Sequence, residues 1–376
     1  PPHKKPHHGH SPHRKFENET LLHVVKHSPY HSKFWSYIED DNDIVDLLNT
    51  TKANVTIFAP NNRAFEKAEK HHNVTKEFVR DVFYYHLLPG FYPAGRVLGS
   101  KTLPTAFEEE DLGDENHQRI RVSLGFGGLK LNFYAKIKYV DVFAKNGVLH
   151  SIDAVLVPPP RLLDTLETVP GEYSTFVGAL YKTGYEHLVN SSESHGLTVF
   201  APSNKAFQRL GFRVNRFLFS DRGRPFLKKL IEYHISPNST LYTDALLEQD
   251  RLIEEAIAAA SNDETKPEDG PKDHHGHFPP PPKHYHVNLP TLLSNHSLSI
   301  DIFKFGPVVD FKINGQSKLV VPDVLGKNGV VQTLGFPIIP PRKVPGGNAG
   351  VEFVNEEQVD DEDMEMDVEE FKALFE

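Results

Sequence analysis

The 376-residue chain has no cysteine, two methionines and one tryptophan. Without cysteine there are no disulfides, thiolate metal sites or thiol nucleophiles, and the composition carries no redox mark of a compartment. No apolar run approaches the ~18 residues needed to span a bilayer. The acidic C-terminal stretch also lacks the hydrophobic tail of a lipid-anchor signal. Positive charge is in deficit: 41 Lys plus Arg against 51 Asp plus Glu give a net charge of -10, which disfavours nucleic acid as a partner. Catalytic signatures are missing too, with no Gly-x-Ser-x-Gly, no His-Glu-x-x-His and no phosphate-binding loop. The glycine-rich run Gly125 to Lys130 lies between strand-like segments with no helix after it, so it reads as a hairpin. No cofactor is expected.

Apolar residues make up 38% of the chain and include 26 Phe, enough for two or three domains with real cores. Asn-x-Ser/Thr sequons begin at Asn18, Asn49, Asn54, Asn73, Asn190, Asn238 and Asn295. Chance would give about two in a chain of this composition, so the excess points to passage through a glycosylating secretory pathway. The start at Pro1-Pro2, with no Met, fits a leader already removed. There are 22 His, and protonating all of them would reverse the sign of the net charge.

Several matched blocks recur in the same order. Phe58-Ala59-Pro60 answers to Phe200-Ala201-Pro202, and Tyr85-His86 to Tyr233-His234, each followed by Pro. Leu103-Pro104-Thr105 answers to Leu289-Pro290-Thr291, and Asn146-Gly147-Val148 to Asn328-Gly329-Val330. The offset between copies jumps once, after His234, where the second copy takes an insertion rich in Pro, His and charge. The organisation expected is a His/Pro-rich disordered arm over 1–17 and one domain over 18–159. A second domain over 160–341 carries a disordered insertion at about 255–287, and an acidic disordered tail covers 342–376. Within one copy, a short strand ends at Pro60 and a capped helix begins near Ala64. A second helix runs through Tyr85-His86, and alternating strands follow. Each copy is therefore α+β by class.

The ordered blocks Phe-Ala-Pro-x-Asn-x-Ala-Phe, Tyr-His and Asn-Gly-Val-x-His-x-Ile-Asp-x-Val-Leu resemble the fasciclin-like (fasciclin I) domain, over about 18–159 and 160–341. The second copy departs in the last block, with Gln332 and Gly335 where the first has His150 and Asp153, so a role for that His or Asp does not carry over. The resemblance implies two tandem fasciclin-like domains, each a helical part packed on an antiparallel β-wedge. It also implies a non-enzymatic secreted or cell-surface glycoprotein acting in adhesion or in wall or matrix association. Its partners would be cell-surface, wall or matrix proteins or glycans. A lumenal or vacuolar protein supporting membrane or organelle processes is the alternative, and a His-rich metal-binding protein on an adhesion scaffold is another.

Two readings stay open for Tyr85, His86, Tyr233 and His234. They form a partner-binding surface, as the resemblance suggests, or the imidazoles bond a neighbouring backbone and fix helix to sheet. The His clusters hold His3, His7, His8, His10, His13, His274, His275, His277, His284 and His286. Neutral imidazoles at that density can collect divalent transition metal weakly, whereas a tight site needs geometry that a Pro-rich segment does not supply. The run of carboxylates from Glu356 to Glu370 reads as a solvated tail that meets the His-rich segments when they protonate.

Overall fold

A computed structural model of the chain describes residues 16–68, 75–113, 117–125, 127–192, 195–244, 283–305, 308–315, 317–340 and 366–375. The chain divides into two compact units, one of residues 1–109 and 115–158, the other of 110–114 and 159–376. Among the described residues no helix is long and apolar enough to cross a membrane.

The first unit opens with three short helices, α1 (Leu21–His27), α2 (Ser32–Ile38) and α3 (Asn42–Asn49). Strand β1 (Val55–Pro60), α4 (Asn62–Ala68), α5 (Lys76–His86), β2 (Leu87–Pro89) and α6 (Ala94–Gly99) follow. The sheet is completed by β3 (Thr102–Glu108), β4 (His117–Gly125), β5 (Gly128–Leu131), β6 (Ala135–Ala144) and β7 (Gly147–Ile152). Its order is β2-β1-β7-β6-β5-β4-β3. The second unit repeats the plan. Helices α7 (Leu162–Thr168), α8 (Pro170–Thr183) and α9 (Glu186–Val189) lead into β8 (Leu197–Pro202). Next come α10 (Asn204–Gln208), α11 (Phe212–Leu218), α12 (Arg224–Tyr233) and β9 (Ile235–Pro237). The remaining strands are β10 (Lys283–Pro290), β11 (Ser297–Phe305), β12 (Val308–Ile313), β13 (Ser317–Gly326) and β14 (Gly329–Leu334). Read from β9, the order β9-β8-β14-β13-β12-β11-β10 reproduces that of the first unit.

Both units are α+β, but the wedge is not wholly antiparallel. β1 pairs in parallel with β7 (Val55 opposite Gly147, Pro60 opposite Ile152), and β8 pairs in parallel with β14. A strand can lie parallel to a later one only when a long connection carries the chain back, and here helices and five strands intervene. Parallel strands need cover on both faces. All six residues of β1, β7, β8 and β14 are accordingly buried. On β1, Ile57 joins Leu21, Phe34, Ile44 and Phe83 in one core, while Phe58 joins Tyr85, Leu103 and Ile120 in another. The matching residues Val199 and Phe200 divide in the same way.

Two boundaries differ from expectation. β10 begins at Lys283, inside the expected insertion, because Tyr285 and Val287 alternate inward onto the core of Leu298, Ile300 and Phe311. The end of the acidic tail is also structured. Asp367 caps a helix, α13 (Val368–Ala373), by accepting from the Glu369 N–H at 2.7 Å. Phe371 is fully buried and, with Phe375, joins Phe207, Leu210 and Leu227 in the second unit's core. The reason is compositional: Met366, Val368, Phe371, Leu374 and Phe375 give a charged segment one apolar face.

Phe371→Ala is expected to lower the stability of the second unit by about 3 kcal/mol, the lower end for truncating a buried Phe. Chemical denaturation should show that loss in one transition and leave the first unit's transition in place. An unchanged curve would return the tail to solvent.

Candidate functional site

The repeated strand-to-helix corner is built from paired Asn and Ser side chains. Asn61 Oδ1 accepts the Ala64 N–H, and Ser203 Oγ accepts the Ala206 N–H, both at 3.1 Å. The next residue does something else. Asn62 accepts from the Lys33 N–H at 3.0 Å and donates to the Pro29 carbonyl at 3.0 Å, clamping the start of α2. Asn204 clamps α8 through the Thr175 N–H and the carbonyls of Pro170 and Gly171.

The Asn-Gly pairs are turns and also hubs. Asn146 Oδ1 accepts the Leu21 N–H at 2.8 Å, while its Nδ2 donates to the Leu48 and Thr50 carbonyls, each at 2.9 Å. Asn328 does the same with the Leu162 N–H and the carbonyls of Val189 and Ser191. Glycine follows because the backbones touch. A Cβ on Gly147 would lie 2.0 Å from the Val55 carbonyl oxygen, and one on Gly329 2.0 Å from that of Leu197.

Tyr85, His86, Tyr233 and His234 are all buried, so the structure places none of them on a partner surface. His86 Nδ1 lies 2.6 Å from the Val82 carbonyl, and its Nε2 accepts the Leu156 N–H at 2.9 Å. A carbonyl can only accept, so the proton sits on Nδ1 and the ring is neutral. His234 repeats this with Leu230 O at 2.7 Å and the Ile338 N–H at 2.8 Å. Burial pushes both imidazoles down to about 4. Tyr85 donates to the Arg119 carbonyl and accepts from Asn132 Nδ2, as Tyr233 accepts from Asn314. Asn132 and Asn314 hold left-handed turns, with φ of 46° and 52°. The reading that survives is the structural one.

The copies also exchange side chains while keeping the bonds. His150 Nε2 donates to the Tyr92 carbonyl at 2.8 Å and its Nδ1 accepts the Asp141 N–H at 3.2 Å. Gln332 stands in the matching place. Its Nε2 donates to the Leu241 carbonyl and its Oε1 accepts the Asp323 N–H, at 2.9 and 3.0 Å. Likewise His31, which bonds Ser28 and Ser151, is replaced by Tyr173 bonding Thr333. Burial pushes His31 down to about 4 and lowers His150. Asp323 moves the other way, raised by burial and then by the nearby Asp244 carboxylate. The offset linking Asn146 to Asn328 also links Asn132 to Asn314, Asp141 to Asp323 and His150 to Gln332. Extending the repeat alignment was therefore the signal that could have found this set.

Of the expected metal ligands, His3, His7, His8, His10, His274, His275 and His277 lie outside the described residues. His284 and His286 do not sit in a loose segment. They project from the outer face of β10 onto one oxygen of Asp301, at 2.9 and 3.0 Å. Partial burial works to raise that carboxyl, but hydrogen bonds from His286 and His284 outweigh it and bring it below its ordinary value. Among the described residues no group of three or more His, Cys, Asp or Glu is arranged to hold a metal ion. The sequon residues Asn18, Asn49, Asn54, Asn190, Asn238 and Asn295 are all exposed, and Asn73 lies outside the described residues.

Acid should separate the two units. A His held neutral by burial stabilises the fold fully above its unfolded value of about 6.5, and that stability is lost as pH falls toward 4. Each such His at about 4 is worth on the order of 3 kcal/mol. Among the described residues, the buried imidazoles of the first unit are His31, His86 and His150, and that of the second is His234. The raised Asp323 acts in the opposite sense, favouring the second unit at low pH and weakening it as pH rises. Calorimetry from pH 7 to 4.5 should show the first unit's transition falling further than the second's. Equal falls would contradict the assignment.

A fasciclin domain model matches residues 29–158 and 171–340. Aurofusarin biosynthesis cluster protein S of Gibberella zeae is 30% identical over 87% of this chain and 78% of its own length. A fasciclin-like arabinogalactan protein of Arthroderma benhamiae is 25% identical over 60% of this chain and 54% of its own. Among solved structures, a FAS1 domain pair from the insect cell adhesion molecule fasciclin I has 20% identity and a TM-score of 0.39, covering 82% of this chain and 96% of that one. With both repeats matched, the chain belongs to the fasciclin domain family and carries its domain twice.

Proposed function

We propose that the chain is a secreted or cell-surface glycoprotein that acts by binding, in adhesion or in wall or matrix association. Fasciclin domains occur in adhesion and matrix proteins, and the relatives include a fasciclin-like arabinogalactan protein. The observation that carries the reading is where the repeated motif residues go. Tyr85, His86, Tyr233 and His234 are buried and bonded to neighbouring backbone and Asn side chains, so they serve shape. What the units offer a partner is their outer surface, and the exposed sequon asparagines fit a chain made in the secretory pathway. The partners proposed are wall, matrix or cell-surface proteins or glycans.

A second reading rests on the relative named for a biosynthesis cluster, which aligns over most of both chains. On that reading the protein accompanies a biosynthetic process in a secretory or vacuolar lumen.

Binding of purified, glycosylated chain to isolated walls or matrix of its source should exceed that of an unrelated glycoprotein of equal charge. His86→Gln, where it folds, should bind equally well. Retention no better than the control would overturn the adhesion reading, and recovery in lumenal fractions alone would favour the second.

A further inference from the structure

Of the described sequons, those of Asn18, Asn49 and Asn54 in the first unit and of Asn190 and Asn238 in the second gather at one end of the unit's sheet, whereas Asn295 lies in the turn between β10 and β11. In the first unit the Thr20 hydroxyl donates to Asn49 Oδ1 at 3.2 Å, which ties the Asn18 sequon to the Asn49 sequon. Asn146 then draws both to the start of β1. Its side chain bonds Leu21, beside Thr20, and the two residues flanking Asn49, while its carbonyl accepts the Val55 N–H, next to Asn54. In the second unit Asn328 bonds the carbonyls on either side of Asn190. Asn238 follows Pro237, which pairs with Leu197 at the start of β8, and Gly329 packs on that same Leu197 carbonyl.

We propose that these ends are glycan-bearing caps, with N-linked glycans on Asn18, Asn49 and Asn54 in the first unit and on Asn190 and Asn238 in the second. The inference rests on the secretory reading above. Two kinds of asparagine separate in this fold. Asn62, Asn146, Asn204 and Asn328 use both ends of their amides to hold backbone. The five sequon asparagines are exposed, and no hydrogen bond occupies the Nδ2 of any of them. The side chain of Asn49 is engaged through Oδ1, which accepts from the Thr20 hydroxyl.

The order of events follows from Thr56. Its hydroxyl completes the Asn54 sequon, yet in the fold it is buried, donating to the Gly90 carbonyl and accepting the Tyr92 N–H, both at 2.8 Å. Transfer to Asn54 therefore precedes β1 pairing. In that step the Asn Nδ2 attacks the anomeric carbon of a lipid-diphosphate-linked oligosaccharide. An Nδ2–C1 bond forms, the C1–O bond to diphosphate breaks, the amide gives up one proton and the lipid diphosphate leaves. β2 and β9 are three-residue edge strands of their sheets, short enough to offer a second chain little to pair with. Asn54, whose carbonyl accepts the Gly90 N–H, sits beside β2, and Asn238 directly follows β9.

The test is site-resolved occupancy on the full chain secreted from a eukaryotic host. Peptide N-glycosidase in heavy-oxygen water, followed by peptide mass spectrometry, should report labelled Asp at 18, 49, 54, 190 and 238. The triple variant Asn18→Gln, Asn49→Gln, Asn54→Gln should lose the mass of three glycans and keep its unfolding midpoint. Label confined to Asn73 or Asn295 would overturn the caps while leaving the secretory reading standing. No label at any sequon would overturn both.

Discussion

Parallel pairing of each unit's first strand with its last is the constraint on which the rest of the structure depends. The two strands meet only after most of the domain has been laid down, so closure carries a loop-entropy cost before any contact offsets it. The pairing is buried on both faces and leaves no room for unbonded backbone. Each landmark of the sequence serves that closure. Gly147 and Gly329 let the last strand approach the first, and Asn146 and Asn328 tie the helices to its start. At the far end, Asn61 and Ser203 extend the pairing by donating their N–H groups to Ile152 and Leu334. His86 and His234 then take the N–H groups of Leu156 and Ile338, just past the last strand.

Because closure asks for hydrogen bonds of given direction, the copies can change residue type while keeping the bond. Gln332 supplies the donor and acceptor of a neutral His150, and the Tyr173–Thr333 pair stands where His31 and Ser151 stand in the first unit. What changes is titration. The first unit concentrates buried imidazoles, and the second trades two of them for groups that do not ionise near neutrality while adding a buried carboxyl. One architecture thus comes in two pH temperaments, without any difference in topology.

Much of this was legible in the residues, and the rest was hidden for physical reasons. The duplication, the strand-to-helix corner and the Asn-Gly turns rest on local rules of capping and turn chemistry, and they read directly. Parallel pairing of β1 with β7 is non-local and leaves no periodicity, so the wedge read as antiparallel. Within α5, Phe78 is 40% exposed while Phe83, Tyr85 and His86 are buried, a division that helical spacing alone does not decide. The acidic tail hid a helix because charge dominated the reading and the aromatic pair Phe371 and Phe375 lay past the carboxylate run. His284 and His286 read as part of a floppy cluster, since alternation with Tyr285 and Val287 shows only once a core exists for it to face.

The claim that the repeated residues are framework is tested most directly by the state of two imidazoles. Nitrogen-resolved NMR of the full chain should find His86 and His234 neutral, protonated on Nδ1, and unchanged from pH 7.5 down to about 5.5. Rings that carry the proton on Nε2, or that titrate near the ordinary value of about 6.5, would contradict it and return the Tyr-His pairs to the surface.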